Sequence, residues 1–195
     1  MRKIFPVLEY FNVPNFITTL GMIFGIAACY FLLQGDLQGA IICLSFSMFM
    51  DLCDGFFADK LDQQTEFGQY VDSLVDFFIC CIIPILLVYI FVGSHLFLMI
   101  SLGFYCICWL WRLAYYNVIE SDGYFVGLPV PGAMLMVSMT TWTVVNHNAP
   151  TWVLYLTLFC TGLLMISFVK LQKYGLWQKS LWGIGLLFLG FIFFW

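Results

Sequence analysis

Charged side chains are scarce in this sequence. Only 9% of its 195 residues are charged, with seven Lys and Arg against eleven Asp and Glu. So few basic side chains cannot form the positive surface that nucleic acids require, and we predict no nucleic acid partner. The eight Cys lie in apolar segments without C-x-x-C spacing, and there are only two His, so we expect neither a disulfide framework nor a zinc site.

Several other features are missing as well. The first residues, MRKIFPVLEYFNVPN, contain no small-residue cleavage site after a short apolar core, so we expect no signal peptide. Neither an internal repeat nor a low-complexity linker interrupts the chain. We therefore expect residues 1–195 to form a single domain.

Apolar residues are abundant. They make up 63% of the chain, and the mean hydropathy is +0.99, which no soluble domain could bury. We predict an all-α, polytopic membrane helical bundle with six core transmembrane helices. The expected spans run from about 16 to 33, from 37 to 58, from 68 to 92, from about 96 to Arg112, from after GLPVPG (127–132) to Val145, and to Val169. Residues 1–15 form an interfacial lead-in, and the apolar segment 181–195 either adds a helix across the membrane or lies at its interface.

The basic residues test this topology. With the N-terminus inside, every Lys and Arg falls in an inner segment and none in an outer turn. Such a bias is the signature of cytoplasmic loops. We predict an integral protein of the inner (cytoplasmic) membrane whose acidic residues, described next, face the cytoplasm.

Four carboxylates occupy the adjoining ends of the second and third spans. An unpaired charge there is costly, so acids that remain are usually functional. On helices, Asp51 and Asp54 share one face with Gly55 and Ala58, and Gly68, Asp72 and Asp76 line one face of the next helix. Clustered oxygen ligands without Cys or His suit Mg²⁺ or Mn²⁺. The alternative is that the acids are only solvated helix caps.

The same residues resemble the signature of the CDP-alcohol phosphatidyltransferases. The pattern D-x₂-D-G-x₂-A followed by G-x₃-D-x₃-D spans Asp51 to Asp76. One position departs from it, because the family usually has Arg directly after the Ala and this chain has Asp59 followed by Lys60. The phrase VPNFIT also resembles the start of the family's first helix.

The resemblance implies a reaction and residue roles. An alcohol hydroxyl would attack the lipid-bearing phosphate of CDP-diacylglycerol and release CMP, with Asp76 as general base. A homodimer is typical of the family. The implied metal ligands are Asp51, Asp54, Asp72 and Asp76, and the implied CDP-lipid contacts are Asn15, Thr18, Gly55, Ala58 and Gly68.

A second region resembles the phosphatidylserine synthase branch of the family. WRLAYYN (111–117), YFVGLPVPGA (124–133) and TEFGQYVDSLVD (65–76) carry this likeness, with Tyr115 where the branch usually has a second Arg. Arg112, with Lys60, is the candidate for acceptor binding, although Arg112 alternatively only anchors the helix end. The scarcity of basic residues favours serine over glycerol phosphate or inositol phosphate acceptors.

Two rivals come from outside this enzyme class. One is a divalent-cation transporter, and the other is a catalytically inactive protein that binds metal or CDP-lipid. A transporter should carry acids distributed along a path through the bilayer. Here the acids gather at one end of two spans, which favours the enzyme.

Overall fold

The fold is an all-α membrane helical bundle, seen in a computed structural model that describes residues 5–119 and 124–172. A 3₁₀ helix (Pro6–Tyr10) exposes apolar side chains such as Val7 and Leu8 before the bundle begins. The remaining elements are α1 (Val13–Leu33), α2 (Leu37–Leu61), α3 (Glu66–Asp76), a π-helical turn (Phe77–Ile82), α4 (Ile83–Val92), α5 (Leu96–Val118), β1 (Tyr124–Val126), α6 (Val130–Asn146), α7 (Trp152–Met165) and β2 (Lys170–Gln172).

The predicted fold class is confirmed. Four helical runs of the described chain are long and apolar enough to cross a membrane, namely α1, α2, the continuous run from Glu66 to Val92, and α5. Helix α7 is apolar but shorter. A crossing by all six helical segments stays a prediction, and the segment 181–195 lies outside the described residues.

Several helix boundaries differ from the predicted span ends, three of them in the second half of the chain. Helix α5 continues beyond Arg112 to Val118, because loss of apolarity marks a span end but does not stop helical hydrogen bonding. Helix α6 begins at Val130, inside GLPVPG, because proline is favoured in a first helical turn. Helix α7 ends at Met165 and not at Val169.

The starts of α1, α2 and α3 are fixed by side-chain caps. Asn12 accepts from the Asn15 N–H at 2.9 Å before α1, and Asp36 accepts from the Gly39 N–H at 2.9 Å before α2. Thr65 accepts from the Gly68 N–H at 3.0 Å before α3. These caps satisfy backbone donors that a helix start leaves unpaired.

Helix α1 packs closely against its neighbours at two glycines. A Cβ on Gly21 would lie 3.4 Å from the Met50 Cβ, and the Ser47 hydroxyl donates to the Gly21 carbonyl at 2.8 Å. A Cβ on Gly25 would come within 2.9 Å of Ile79 in the π-helical turn. Small residues thus let membrane helices approach, as they commonly do.

The third helical run changes its hydrogen bonding directly after Asp76. In the π-helical turn the Ile83 N–H donates to the carbonyl of Phe78, five residues back. Pro84 follows and has no N–H to offer the carbonyl of Cys80. The buried hydroxyl of Tyr105 on α5 donates to that carbonyl instead, at 3.0 Å.

Candidate active site

Three of the four predicted metal ligands come together. Asp51 on α2 and Asp72 and Asp76 on α3 each offer a carboxylate oxygen within 4.8 Å of the other two. None of the three caps a helix, since Thr65 begins α3 and Asp62 ends α2. We refer to Asp51, Asp72 and Asp76 as the acidic group. Its donors are all carboxylate oxygens, which fits a hard divalent cation such as Mg²⁺ or Mn²⁺.

Asp54 is not part of the acidic group. It is buried, and its Oδ2 accepts a hydrogen bond from the Thr18 hydroxyl on α1 at 2.5 Å. The Thr18 side chain also lies 3.1 Å from the carbonyl of Pro14. The structure therefore links Thr18, a predicted CDP-lipid contact, directly to a predicted metal ligand.

Asn15 and Gly68 meet where α1 and α3 begin. A Cβ on Gly68 would lie only 2.8 Å from the Asn15 Oδ1, so a larger residue there would displace the Asn15 side chain. The Asn15 amide donates to the carbonyl of Tyr10 at 2.8 Å, and the Tyr10 ring stacks on Phe67 with centroids 4.5 Å apart. The missing side chain at Gly68 thus makes room for Asn15 within the protein.

Gly55 is in the opposite situation. It is exposed, and a Cβ built there would meet nothing within 4 Å. Ala58, one turn further along α2, is partly exposed. Of the small residues in the motif, Gly55 is therefore the one that leaves open space beside the carboxylates.

Asp59, which stands where the family usually has Arg, makes a local side-chain contact. Asp59 accepts a hydrogen bond from the side chain of Gln64, in the loop between α2 and α3. Lys60 is exposed and its ammonium lies 5.6 Å from the ring centroid of Phe56, one turn back on the same helix.

Arg112 is buried beside the acidic group. Only 9% of it is exposed, and its guanidinium lies 4.6 Å from the ring centroid of Tyr116. Its Nε has no hydrogen-bond partner among the described residues. Arg112 is close enough to Asp51 and Asp76 to attract both carboxylates. A buried cation therefore lies within electrostatic reach of the acidic group.

Sequence reasoning missed one polar bridge beside this site. The Ser73 hydroxyl donates to Asn117 Oδ1 at 3.1 Å, which joins α3 to the last turn of α5. Both residues lie in stretches that resemble the phosphatidylserine synthase branch. Their pairing had no signal of its own, because α5 was expected to end before Asn117.

Comparison with known proteins shows a family match over most of the chain. The family model described as CDP-alcohol phosphatidyltransferase matches residues 11–163. A CDP-diacylglycerol–serine O-phosphatidyltransferase of Methanocaldococcus jannaschii is 30% identical over 171 residues, which cover 87% of this chain and 78% of that protein.

Two further relatives have a more limited match. A CDP-diacylglycerol–serine O-phosphatidyltransferase of Mycobacterium bovis is 28% identical, and the match covers 83% of this chain but only 61% of that protein. A CDP-diacylglycerol–glycerol-3-phosphate 3-phosphatidyltransferase of Aquifex aeolicus is 37% identical over 65 residues, which cover 33% of this chain and 36% of that protein. The likeness to the serine-named proteins is therefore the more extensive one.

Proposed function

The chain belongs to the CDP-alcohol phosphatidyltransferase family, and on that premise we propose that it transfers the phosphatidyl group of CDP-diacylglycerol to the hydroxyl of L-serine, releasing CMP. The observation that carries the proposal is the acidic group, three carboxylates within 4.8 Å of one another. Solvated caps would not need to converge in this way.

In the proposed reaction Asp76 is the general base. It accepts the proton of the acceptor hydroxyl as the hydroxyl oxygen bonds to the lipid-bearing phosphorus. The bond from that phosphorus to the CMP oxygen breaks, and CMP leaves. Asp76 lies where the regular α-helix gives way to the π-helical turn, and such turns frequently occur at functional sites.

We propose that Asp51 and Asp72, together with Asp54 and Asp76, hold Mg²⁺ or Mn²⁺. When bound, the ion neutralises the pyrophosphate and the departing CMP. The chain itself orients these ligands. The Thr18 hydroxyl fixes Asp54, much as groups around other metal sites orient the ligands they contact.

The CDP-lipid contacts divide into two kinds in this proposal. Gly55 and Ala58 face accessible space, so the nucleotide can approach the α2 backbone there. Asn15, Thr18 and Gly68 shape the same site by holding α1 against α2 and α3.

Arg112 is the proposed acceptor-binding residue. A buried guanidinium whose Nε has no partner among the residues that the structure describes is suited to a carboxylate such as that of serine. Lys60 is the weaker candidate, because it is exposed above Phe56. The names of the two serine-specific relatives support this acceptor.

The first experiment measures CMP release by the purified protein with CDP-diacylglycerol and Mn²⁺ or Mg²⁺, with and without L-serine. We expect release that requires both metal and serine, with phosphatidylserine as product. If CMP is released with glycerol 3-phosphate or inositol phosphate and not with serine, the proposed phosphatidyl transfer stands and the proposed acceptor is wrong. Metal binding without CMP release would favour the non-catalytic alternative.

We further propose a homodimer in the cytoplasmic membrane with the acidic group facing the cytoplasm. The support for this orientation is the placement of all basic residues in segments on one side. A reporter inserted at Asn148, in the turn between α6 and α7, is expected on the opposite side. Recovery of that reporter in the cytoplasm would reverse the orientation.

A further inference from the structure

The hydroxyl of Tyr116 is bound by the backbone of a residue outside its own helix. It donates to the Val126 carbonyl at 2.8 Å and accepts from the Val126 N–H at 2.5 Å. Tyr116 lies near the end of α5, and Val126 is the last residue of β1. One side chain therefore satisfies both backbone groups of this residue.

The segment that follows Val126 is also fixed. Val126 is opposite Lys170 in the β1–β2 pair, and the Gly127 N–H donates to the Val169 carbonyl at 2.8 Å. Gly127 has a φ of +78°, and a Cβ there would collide with the backbone of Met165. Tyr116 is thus attached, immediately before α6, to a segment that is itself hydrogen-bonded to the chain after α7.

The ring of Tyr116 has a separate contact. It supports the guanidinium of Arg112, one helical turn earlier on α5, at 4.6 Å from the ring centroid. Arg112 is buried, its Nε has no partner in the described part of the chain, and it lies within electrostatic reach of Asp76. An arginine has many rotamers, so a fixed aromatic face restricts where its charge lies.

We infer that Tyr116 is a positioning residue for the acceptor, acting through Arg112. Its ring holds the guanidinium towards the acidic group, and its hydroxyl holds the ring by binding Val126. This inference rests on the proposed function, in which Arg112 binds the acceptor. It adds that acceptor affinity depends on the contact between α5 and the turn before α6.

A purely structural role for Tyr116 makes a different prediction. If the tyrosine only joined α5 to β1, its loss would lower thermal stability and affect both substrates alike. A positioning role changes the KM for the acceptor, while the KM for CDP-diacylglycerol stays close to that of the wild type.

The test uses the full-length protein with Tyr116→Phe and Tyr116→Leu, and Tyr115→Phe as the matched control. Tyr115 is the adjacent, exposed tyrosine. We expect the serine KM to rise about threefold in Tyr116→Phe, which loses the hydrogen bonds, and about tenfold in Tyr116→Leu, which also loses the ring contact. Tyr115→Phe should match the wild type.

A double-mutant cycle with Arg112→Lys tests whether Tyr116 acts through Arg112. Once the guanidinium is absent, Tyr116→Leu should raise the serine KM by much less than it does in the wild-type background. Additive effects, an unchanged serine KM in both Tyr116 variants, or equal rises in both substrate KM values would overturn the inference. Phe keeps the ring, so Tyr116→Phe remains informative even if Tyr116→Leu does not fold.

Failure of the proposed function looks different from failure of this inference. Wild-type protein that releases CMP with serine, combined with Tyr116 variants of unchanged serine KM, contradicts only the role of Tyr116. Wild-type protein that releases no CMP with any acceptor contradicts both.

Discussion

The two turns on either side of α2 show carboxylates in opposite circumstances. In the turn before α2, Asp36 uses its side chain to cap the helix, accepting from the Gly39 N–H. In the turn after α2, loop residues complete the helix ends. Asp62 ends α2 in a left-handed conformation with φ of 52°, and Thr65 caps α3.

This difference separates Asp36 from the four aspartates near the second turn, whose side chains cap no helix start. Asp51, Asp54, Asp72 and Asp76 lie within helices whose ends are completed by other residues. A carboxylate that caps a helix accepts a hydrogen bond from a backbone N–H at the helix start. The carboxylates of the acidic group accept no such bond, because other residues cap these helices. The contrast predicts that similar substitutions on the two sides of α2 will have very different effects.

The largest effect is expected for Asp76→Asn. The amide cannot accept the acceptor's proton, so CMP release should fall by on the order of 10²- to 10⁴-fold, while CDP-lipid binding is largely kept. Asp36→Asn is the matched control, because asparagine caps a helix about as well as aspartate. CMP release and CDP-diacylglycerol binding are measured for both variants. Normal turnover by Asp76→Asn would remove Asp76 from the mechanism.

A smaller effect is expected at Thr18. Thr18→Val removes the hydroxyl that binds Asp54 and should raise the Mn²⁺ concentration needed for half-maximal activity about tenfold. Thr19→Val is the control, since the Thr19 hydroxyl donates to the Asn15 carbonyl of its own helix at 2.7 Å. Equal metal titrations for the two valine variants would contradict a role for Thr18 in holding Asp54.

The two glycines of the motif should separate stability from binding. Gly68→Ala places a methyl group against Asn15 and should lower the free energy of unfolding by about 1–3 kcal/mol, as overpacking does. Gly55→Ala should leave the melting temperature unchanged and raise the KM for CDP-diacylglycerol, because that Cβ extends into open space. Thermal melts and substrate titrations on both variants check this. A lower melting temperature for Gly55→Ala alone would reverse the assignment.

The smallest effect is expected at Asp59. Asp59→Arg restores the usual family residue and removes the exposed contact with Gln64, so CMP release should stay within about threefold of the wild type or increase. The variant is assayed under the same conditions as the wild type. Complete inactivation would show that the contact between Asp59 and Gln64 shapes the turn after α2.

Local periodicity predicted much of this arrangement. The i, i+4 spacing of Asp72 and Asp76 and the position of Asp51 at the end of the preceding span were enough to predict that they meet. Periodicity also put Asp54 and Gly55 on one face of α2, yet the structure gives them different surroundings. Asp54 contacts α1 and Gly55 faces open space. Helical spacing predicts which residues share a face, but the neighbouring helix covers only part of that face.

The remaining features depend on contacts between residues far apart in the chain. The hydroxyl of Tyr116 binds Val126, and the hydroxyl of Tyr105 binds the carbonyl of Cys80, 25 residues earlier. No composition or spacing signals such partners. Helix α5 also extends past the predicted boundary at Arg112. An apolar run indicates which residues lie in the membrane, whereas the helix can continue beyond it.

The π-helical turn has a consequence for how the third helical run can change over evolution. A π turn contains one residue more than an α turn, and one residue corresponds to about 100° of helical rotation. The helical spacing counted from Asp72 and Asp76 is therefore shifted by one residue in α4. Loss of one residue from this turn would restore regular α-helical hydrogen bonding while both ends of the run keep their orientation.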